Sequence, residues 1–363
     1  MPQLFTITDE WNEQPWFSTG GTRAKKYLQS PDGKFYYFKR SQYKDATDSK
    51  PGKDFTYEFW SEVIAYEVGS TLGFNVLKYD IALSGELMGC ICESMINAEE
   101  EELIEGVKYL QAFAPGYDPK SKEHQNRYTF QMIENSLEKA KLKGEIENII
   151  EMIVFDSLIG NGDRHQENWA VINHQKLMTQ VIEEAEQREG YQKIKKWQRW
   201  LLSKYKNLLR FGEKGYYKRG WKPAPTYYIS TKKFAPIYDS GSRLGRELIA
   251  ERAEVLAESK DELNRYIDKG FSEIHWEGRK INHFELVGNL LESTLYNEIV
   301  KTIINRVLEK WDGPKIEQIV KEIDRLVPES HSIYKIPDSR KLLIFKIITL
   351  RRNRLATLIH ERI

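Results

Sequence analysis

Residues 153–172, IVFDSLIGNGDRHQENWAVI, constrain the fold of this chain more than any other stretch. An apolar, helix-forming run ends at Gly160, a tight Asn-Gly loop follows, and Asp163 and Asn168 stand in a D-x-x-x-x-N spacing just before a β-type run. A helix on one side and a strand on the other would hold both polar groups at fixed positions. Phosphoryl transfer needs such a pair: a carboxylate that accepts or orients the proton of an attacking hydroxyl, and a neutral amide oxygen that ligates Mg²⁺. Gly, Asn and Asp are also ordinary turn formers, so the motif alone fits a plain polar loop as well.

A second acidic signal separates the two readings. In PIYDSG, residues 236–241, a β-type run delivers Asp239 into a Gly-containing turn, the place for a second metal ligand beside Asn168. Phosphate charge also needs a fixed cation, and Lys39 ends the strand-like run KFYYFK. Glu62, on the helix-forming segment that follows, suits an ion pair that aims this lysine, and Glu58 one turn earlier is its rival. The segment STGGTRAKK supplies Gly20, Gly21, Thr22 and Arg23, whose backbone N–H groups and charge suit phosphates, although it lacks a G-x-G-x-x-G pattern. CESM, residues 92–95, joins a β-rich to a helix-rich stretch; there the backbone of Glu93 and Met95 would meet a nucleotide base, unless it is a plain linker. Gly loop, strand Lys, helix Glu, D-x-x-x-x-N and a later D-x-G in this order are jointly improbable by chance.

The patterning predicts an α+β chain of two lobes, a small β-rich one over 1–95 and a larger, mainly helical one over 96–363. Residues 16–39 read as a hairpin turning at Pro31-Asp32-Gly33, and 74–95 as a second hairpin turning at Ser84-Gly85-Glu86. Asp54 reads as the N-cap of a helix that Gly73 ends. ENWAVI (167–172) and KFAPIYD (233–239) read as short strands among helices, and the tail from Ile281 as several packed helices. Between those strands, 173–230 reads as an insertion. Its segment 191–222 holds eleven Lys or Arg against one Glu, interleaved with Trp197, Trp200 and Tyr205. That composition fits either a solvated amphipathic helix or a surface gripping phosphates or single-stranded nucleic acid.

Over the whole chain the charge is balanced, 55 Lys plus Arg against 54 Asp plus Glu, so nucleic acid could be held only through the basic insertion. Cys90 and Cys92, one residue apart, suit packing as thiols better than a mutual disulfide. The N-terminus has no basic, apolar leader pattern, and no run approaches about 18 apolar residues, which together predict a cytoplasmic protein without a membrane span.

Through FDSLIGNGDRHQEN, EFWSEVIAYEVGSTLGF, GTRAKK with FYYFK, and YDSGSRLG, the sequence resembles the HipA-like family of bacterial serine/threonine kinases. The resemblance implies a protein-kinase-like fold transferring the γ-phosphoryl group of ATP to a protein hydroxyl, with Mg²⁺. On these motifs Asp163 matches the catalytic Asp, Asn168 and Asp239 the Mg²⁺ ligands, and Lys39 the ATP lysine. It also implies autophosphorylation in the Gly-rich loop, for which Ser18 or Thr19 is available, and an antitoxin or other regulator as partner. The chain begins almost directly at the Gly-rich hairpin, leaving no room before it for the extra N-terminal subdomain of larger HipA toxins. GDRHQEN is similar to the catalytic loop of phosphoinositide kinases too, so a lipid or small-molecule kinase stays open, as does a non-catalytic nucleotide- or nucleic-acid-binding scaffold. His165 reads as a brace for the loop, with Asp156 as its partner, and Arg164 fits either an acidic neighbour or the γ-phosphate.

Overall fold

The computed structural model describes residues 1–15, 25–41, 43–44, 53–54, 56–187, 193, 195–213, 228–241 and 244–361. The chain divides into two compact units, one of residues 1–95, 105–170 and 236–363, the other of 96–104 and 171–235. Gly20, Gly21, Thr22 and Arg23, with Ser18 and Thr19, lie outside the described residues.

In chain order the first elements are β1 (Leu4–Ile7), β2 (Asn12–Glu13), β3 (Lys25–Gln29), β4 (Phe35–Arg40), β5 (Tyr43–Lys44), β6 (Lys53–Asp54), α1 (Glu58–Thr71), β7 (Asp80–Ser84) and β8 (Leu87–Glu93). There follow β9 (Glu101–Glu105), α2 (Gly106–Phe113), α3 (Phe130–Lys139), α4 (Ile146–Ile159), β10 (Ala170–Leu177), α5 (Met178–Gln187), α6 (Lys196–Glu213) and β11 (Tyr228–Phe234). Six helices close the chain: α7 (Ala250–Glu258), α8 (Lys260–Asp268), α9 (His283–Glu292), α10 (Asn297–Glu309), α11 (Gly313–Glu322) and α12 (Asp338–Glu361).

In the larger unit, a six-stranded sheet runs β1-β7-β8-β4-β3-β2, with β1 and β7 parallel and the other neighbours antiparallel. Both predicted hairpins form: β3 and β4 turn through Gly33 and β7 and β8 through Gly85, each glycine at positive φ. The two-residue period of β4 sorts its side chains. Tyr36 and Phe38 join Leu28, Ala82 and Ile91 in one core cluster. Lys39 therefore leaves by the opposite face, where α1 packs, with Cys90 directly across in β8.

Helix α1 begins later than its sequence implies. Asp54 lies in the short β5–β6 ladder opposite Tyr43, and Tyr57 occupies the N-cap position. Ser41, just beyond β4, supplies the missing acceptor: its Oγ takes the Phe59 N–H at 3.4 Å and donates to Thr56 O at 2.9 Å. Gly73, at φ +84°, ends the helix as expected.

Within the same unit α4 is the central helix, buried along almost its whole length and packed by α9, α10 and α12. Gly160 follows it in the left-handed region, φ +76°, and turns the chain into the GNGDRHQEN loop. The smaller unit contains a three-stranded sheet, β11-β10-β9, and the helices α5 and α6. Here β10 runs past Ile172 to Leu177, and β11 starts at Tyr228 and stops at Phe234, because the two pair continuously from Val171↔Phe234 to Leu177↔Tyr228. Residues 236–239 instead lie along 75–77, joined by Ile237 N–H to Asn75 O and Leu77 N–H to Ile237 O, both 2.8 Å. Among the described residues no helix is long and apolar enough to cross a membrane.

Candidate active site

The site assembles in the larger unit around Lys39, whose side chain is almost wholly buried. Its Nζ donates to Glu62 Oε1 at 3.3 Å, Asp239 Oδ1 at 3.2 Å and the Tyr79 hydroxyl at 3.1 Å. Burial alone would pull the lysine's pKa down; the facing carboxylates of Asp239 and Glu62, with Tyr79, more than reverse this, and the ammonium stays charged well above the usual lysine range. Of the two rival glutamates, Glu62 holds the lysine. Glu58 is also buried, and pairs with Arg246.

Glu62 reaches the metal-loop candidate as well. Its Oε2 accepts the Ser240 N–H at 2.8 Å, so one carboxylate ties the β4 lysine to the residue after Asp239. Gly241 makes room for this: a Cβ there would lie 2.9 Å from Glu62 Cγ, closer than side chains approach. Asp239 itself has φ +54°, a left-handed conformation that Asp tolerates better than most residues, and its carboxylate thereby meets Lys39.

The catalytic-loop candidate is organised by Arg164 and Asp156. Asp156 is the one carboxylate in the apolar run IVFDSLI of α4, and both it and Arg164 are buried. Arg164 Nε and Nη2 donate to Asp156 Oδ2 and Oδ1 at 2.9 and 2.8 Å, a forked pair. Its Nη1 donates to Asn168 O at 2.8 Å and to Tyr238 O, and Nη2 reaches Ser240 Oγ at 3.3 Å. One guanidinium thus joins α4, the loop before β10 and the turn bearing Asp239. Tyr238 adds a parallel tie, its hydroxyl donating to Glu167 O at 2.8 Å.

Asp163 is exposed, and its main chain is held at both ends: its N–H donates to Asn161 Oδ1 at 3.3 Å and its carbonyl accepts from Asn168 Nδ2 at 2.8 Å. Asn161 Nδ2 in turn donates to Asp156 Oδ1 at 3.0 Å. Asn168 Nδ2 also faces His165 Nε2 at 3.0 Å, which leaves Oδ1 as the amide atom available to a cation. His165 therefore braces the loop through Asn168, whereas Asp156, its expected partner, belongs to Arg164. Among the described residues no group of three or more His, Cys, Asp or Glu forms a metal cage. An ion held by Asp239 and Asn168 would need phosphate and water to complete its oxygen shell, as suits Mg²⁺.

Glu93 and Met95 are set apart from this cluster. Glu93 ends β8 opposite Tyr36, about 10 Å along the strand from Cys90, and its exposed carboxylate pairs with Lys34 at 3.1 Å. Met95 is half-buried beyond it. Both cysteines are buried free thiols, and burial, with Glu62 nearby, pushes the Cys92 thiol up to about 11. The native chain is accordingly expected to give no reaction with a thiol reagent at pH 8 and to titrate both thiols after denaturation; rapid labelling of the native chain would contradict this packing.

Asn161, Tyr79 and Tyr238 are the site residues that motif reading misses, and it pairs Asp156 with His165 rather than with Arg164. For Asp156 a signal was present, since a carboxylate inside an apolar helix needs a buried partner.

Comparison with solved structures defines the fold: a β-rich N-terminal lobe and a mainly helical C-terminal lobe, as in a kinase of known structure. The similar solved structures include the crystal structure of a Helicobacter pylori proinflammatory kinase, CtkA, at a TM-score of 0.64 and 16% identity, covering 99% of this chain and 98% of that one. Another is a Shewanella oneidensis MR-1 toxin–antitoxin complex of HipA, HipB and operator DNA, at a TM-score of 0.46 and 10% identity, covering 98% of this chain and 65% of that one. No protein-family model matches the sequence, and no curated protein does.

Proposed function

We propose that this chain is an ATP- and Mg²⁺-dependent kinase that transfers the γ-phosphoryl group to Ser or Thr of a protein, itself included. The observation that carries the reading is the buried Lys39–Glu62–Asp239 cluster, coupled through Ser240 and Arg164 to the loop of Asp163 and Asn168. In this reading residues 1–95 form the nucleotide lobe, 96–363 the substrate lobe, and 173–230 an insertion in the latter. Lys39, aimed by Glu62, neutralises phosphate charge; Asp239 and Asn168 hold the metal; Glu93 and Met95 border the base, and Gly20, Gly21, Thr22 and Arg23 the phosphates. The bound ion would supply charge neutralisation at the phosphates. Asp163 accepts or orients the hydroxyl proton, while the main-chain ties on either side of it fix the carboxylate's direction. The similar solved structure of a Helicobacter pylori kinase supports this reading at the level of fold.

Incubation of the purified chain with radiolabelled ATP and Mg²⁺ tests it. Label on the chain or on a generic protein is the expected result; label on phosphoinositide vesicles alone, or none with any acceptor, would overturn it. Lys39→Met is expected to lower transfer about 10²–10³-fold and to weaken nucleotide binding. Because the buried Glu62 carboxylate and the partly buried Asp239 lose their cation, it should also destabilise the chain by about 3–5 kcal/mol, read as a lower Tm. Unchanged nucleotide affinity in a folded Lys39→Met chain would remove the lysine from the phosphate site.

A further inference from the structure

The helix α6 has two apolar faces, and the structure accounts for one of them. Arg199, Leu202, Lys206 and Leu209 follow helical spacing along one side, and α6 packs on α5, with Leu209 and Ile182 buried. The acids of α5 serve this side: Lys206 pairs with Glu186 and Arg210 with Glu183, while Glu184 holds Lys176 at 2.5 Å. At about 100° per residue, Trp197, Trp200, Leu201 and Tyr205 form a second arc, about 140° wide and centred nearly opposite the first. These side chains stand in solvent, Trp197 and Trp200 at 59% and 60% exposure and Leu201 and Tyr205 at 49% and 41%. Four large apolar side chains on one exposed helix face are a contact surface in want of a partner.

The charge around that arc says what the partner is. No acidic residue occurs between Glu189 and Glu213. Lys196 and Lys204 flank the rings, Lys195 lies just before the helix, and among the described residues none of the three pairs with a carboxylate. Trp and Tyr at the edge of an apolar stripe, with lysines beside it, match the chemistry of a helix lying in the headgroup layer of an anionic bilayer.

We propose that α6 docks the chain on anionic lipid surfaces, with Trp197, Trp200, Leu201 and Tyr205 entering the interface and Lys195, Lys196 and Lys204 meeting lipid phosphates. Single-stranded nucleic acid is the rival with the same charge. It asks for ring faces open in a groove that tracks a backbone. Here the rings sit on a convex helix, Leu201 lies between them with no stacking to offer, and Lys204 lies 5.8 Å from the Trp200 ring centre. The proposal stands independently of phosphoryl transfer.

Sedimentation of the full chain with vesicles tests it. Vesicles of phosphatidylcholine with roughly one-third phosphatidylserine are expected to bind at least about tenfold more chain than pure phosphatidylcholine, at about fivefold per lysine engaged. The double variants Trp197→Ala/Trp200→Ala and Lys195→Glu/Lys196→Glu should each lower that binding about tenfold, with circular dichroism and Tm unchanged because the side chains are exposed. Three results would overturn the proposal: equal binding to both vesicle types, no binding to either, or variants that lose affinity for oligothymidylate while keeping it for vesicles.

Discussion

Asp163→Asn is expected to lower phosphoryl transfer about a thousandfold, within the 10²–10⁴ range of a lost general base, and to leave nucleotide affinity and Tm near wild type. The separation follows from how the residue is held. Its N–H and carbonyl are fixed by Asn161 and Asn168, and its side chain is exposed, so an amide of the same shape leaves the loop intact and removes only the proton acceptor. Asp239→Asn should behave differently. That carboxylate faces Lys39 and is the proposed metal ligand, so the change should weaken Mg²⁺-dependent nucleotide binding along with transfer. Single-turnover transfer and nucleotide titration of both variants decide the matter. Transfer at the wild-type rate by Asp163→Asn would refute the role given to Asp163, and undiminished Mg²⁺-dependent binding by Asp239→Asn would refute the metal assignment.

The residues of this site were legible in the sequence to different depths, and the difference tracks sequence separation. Lys39 on a strand and Asn168 five residues after Asp163 are local patterns, and the hairpins and α4 that present them follow from local periodicity. The choice between Glu58 and Glu62 was not local. Both face inward from α1, and only the arrival of Arg246 at one and of Lys39 and Ser240 at the other distinguishes them. Lys39 and Asp239 meet across 200 positions, a contact no spacing rule encodes. The start of α1 shows the same override: Asp54 has the chemistry of an N-cap, yet Ser41 arrives from the sheet and Asp54 is left to a strand. Arg164 was the hardest case, since an arginine beside a catalytic Asp suits phosphate as well as a buried acid. Burial decides it: at 1% exposure the guanidinium has its donors turned to Asp156 and to main-chain oxygens rather than to a cleft.

That geometry makes Arg164→Met the substitution with the largest expected cost to the fold. It leaves the Asp156 carboxylate buried without its cation, a loss of about 3–5 kcal/mol, and takes a donor from the carbonyls of Asn168 and Tyr238, at about 1–3 kcal/mol for an unsatisfied buried group. Against a typical stability of about 5–15 kcal/mol, much of the chain should unfold at 37 °C. A second variant separates stability from positioning. Asp156→Leu/Arg164→Met replaces the pair by apolar side chains, which commonly restores stability because no charge is left stranded. Its Tm should return toward wild type while transfer stays depressed at least about a hundredfold, because the link between the Asn168 backbone and the Tyr238–Asp239 turn is still missing. Melting curves and transfer rates on the same preparations test both halves. If activity recovered together with Tm, Arg164 would be no more than a structural counter-ion; if neither recovered, the pair's stabilising role would lie in packing that Leu and Met cannot reproduce.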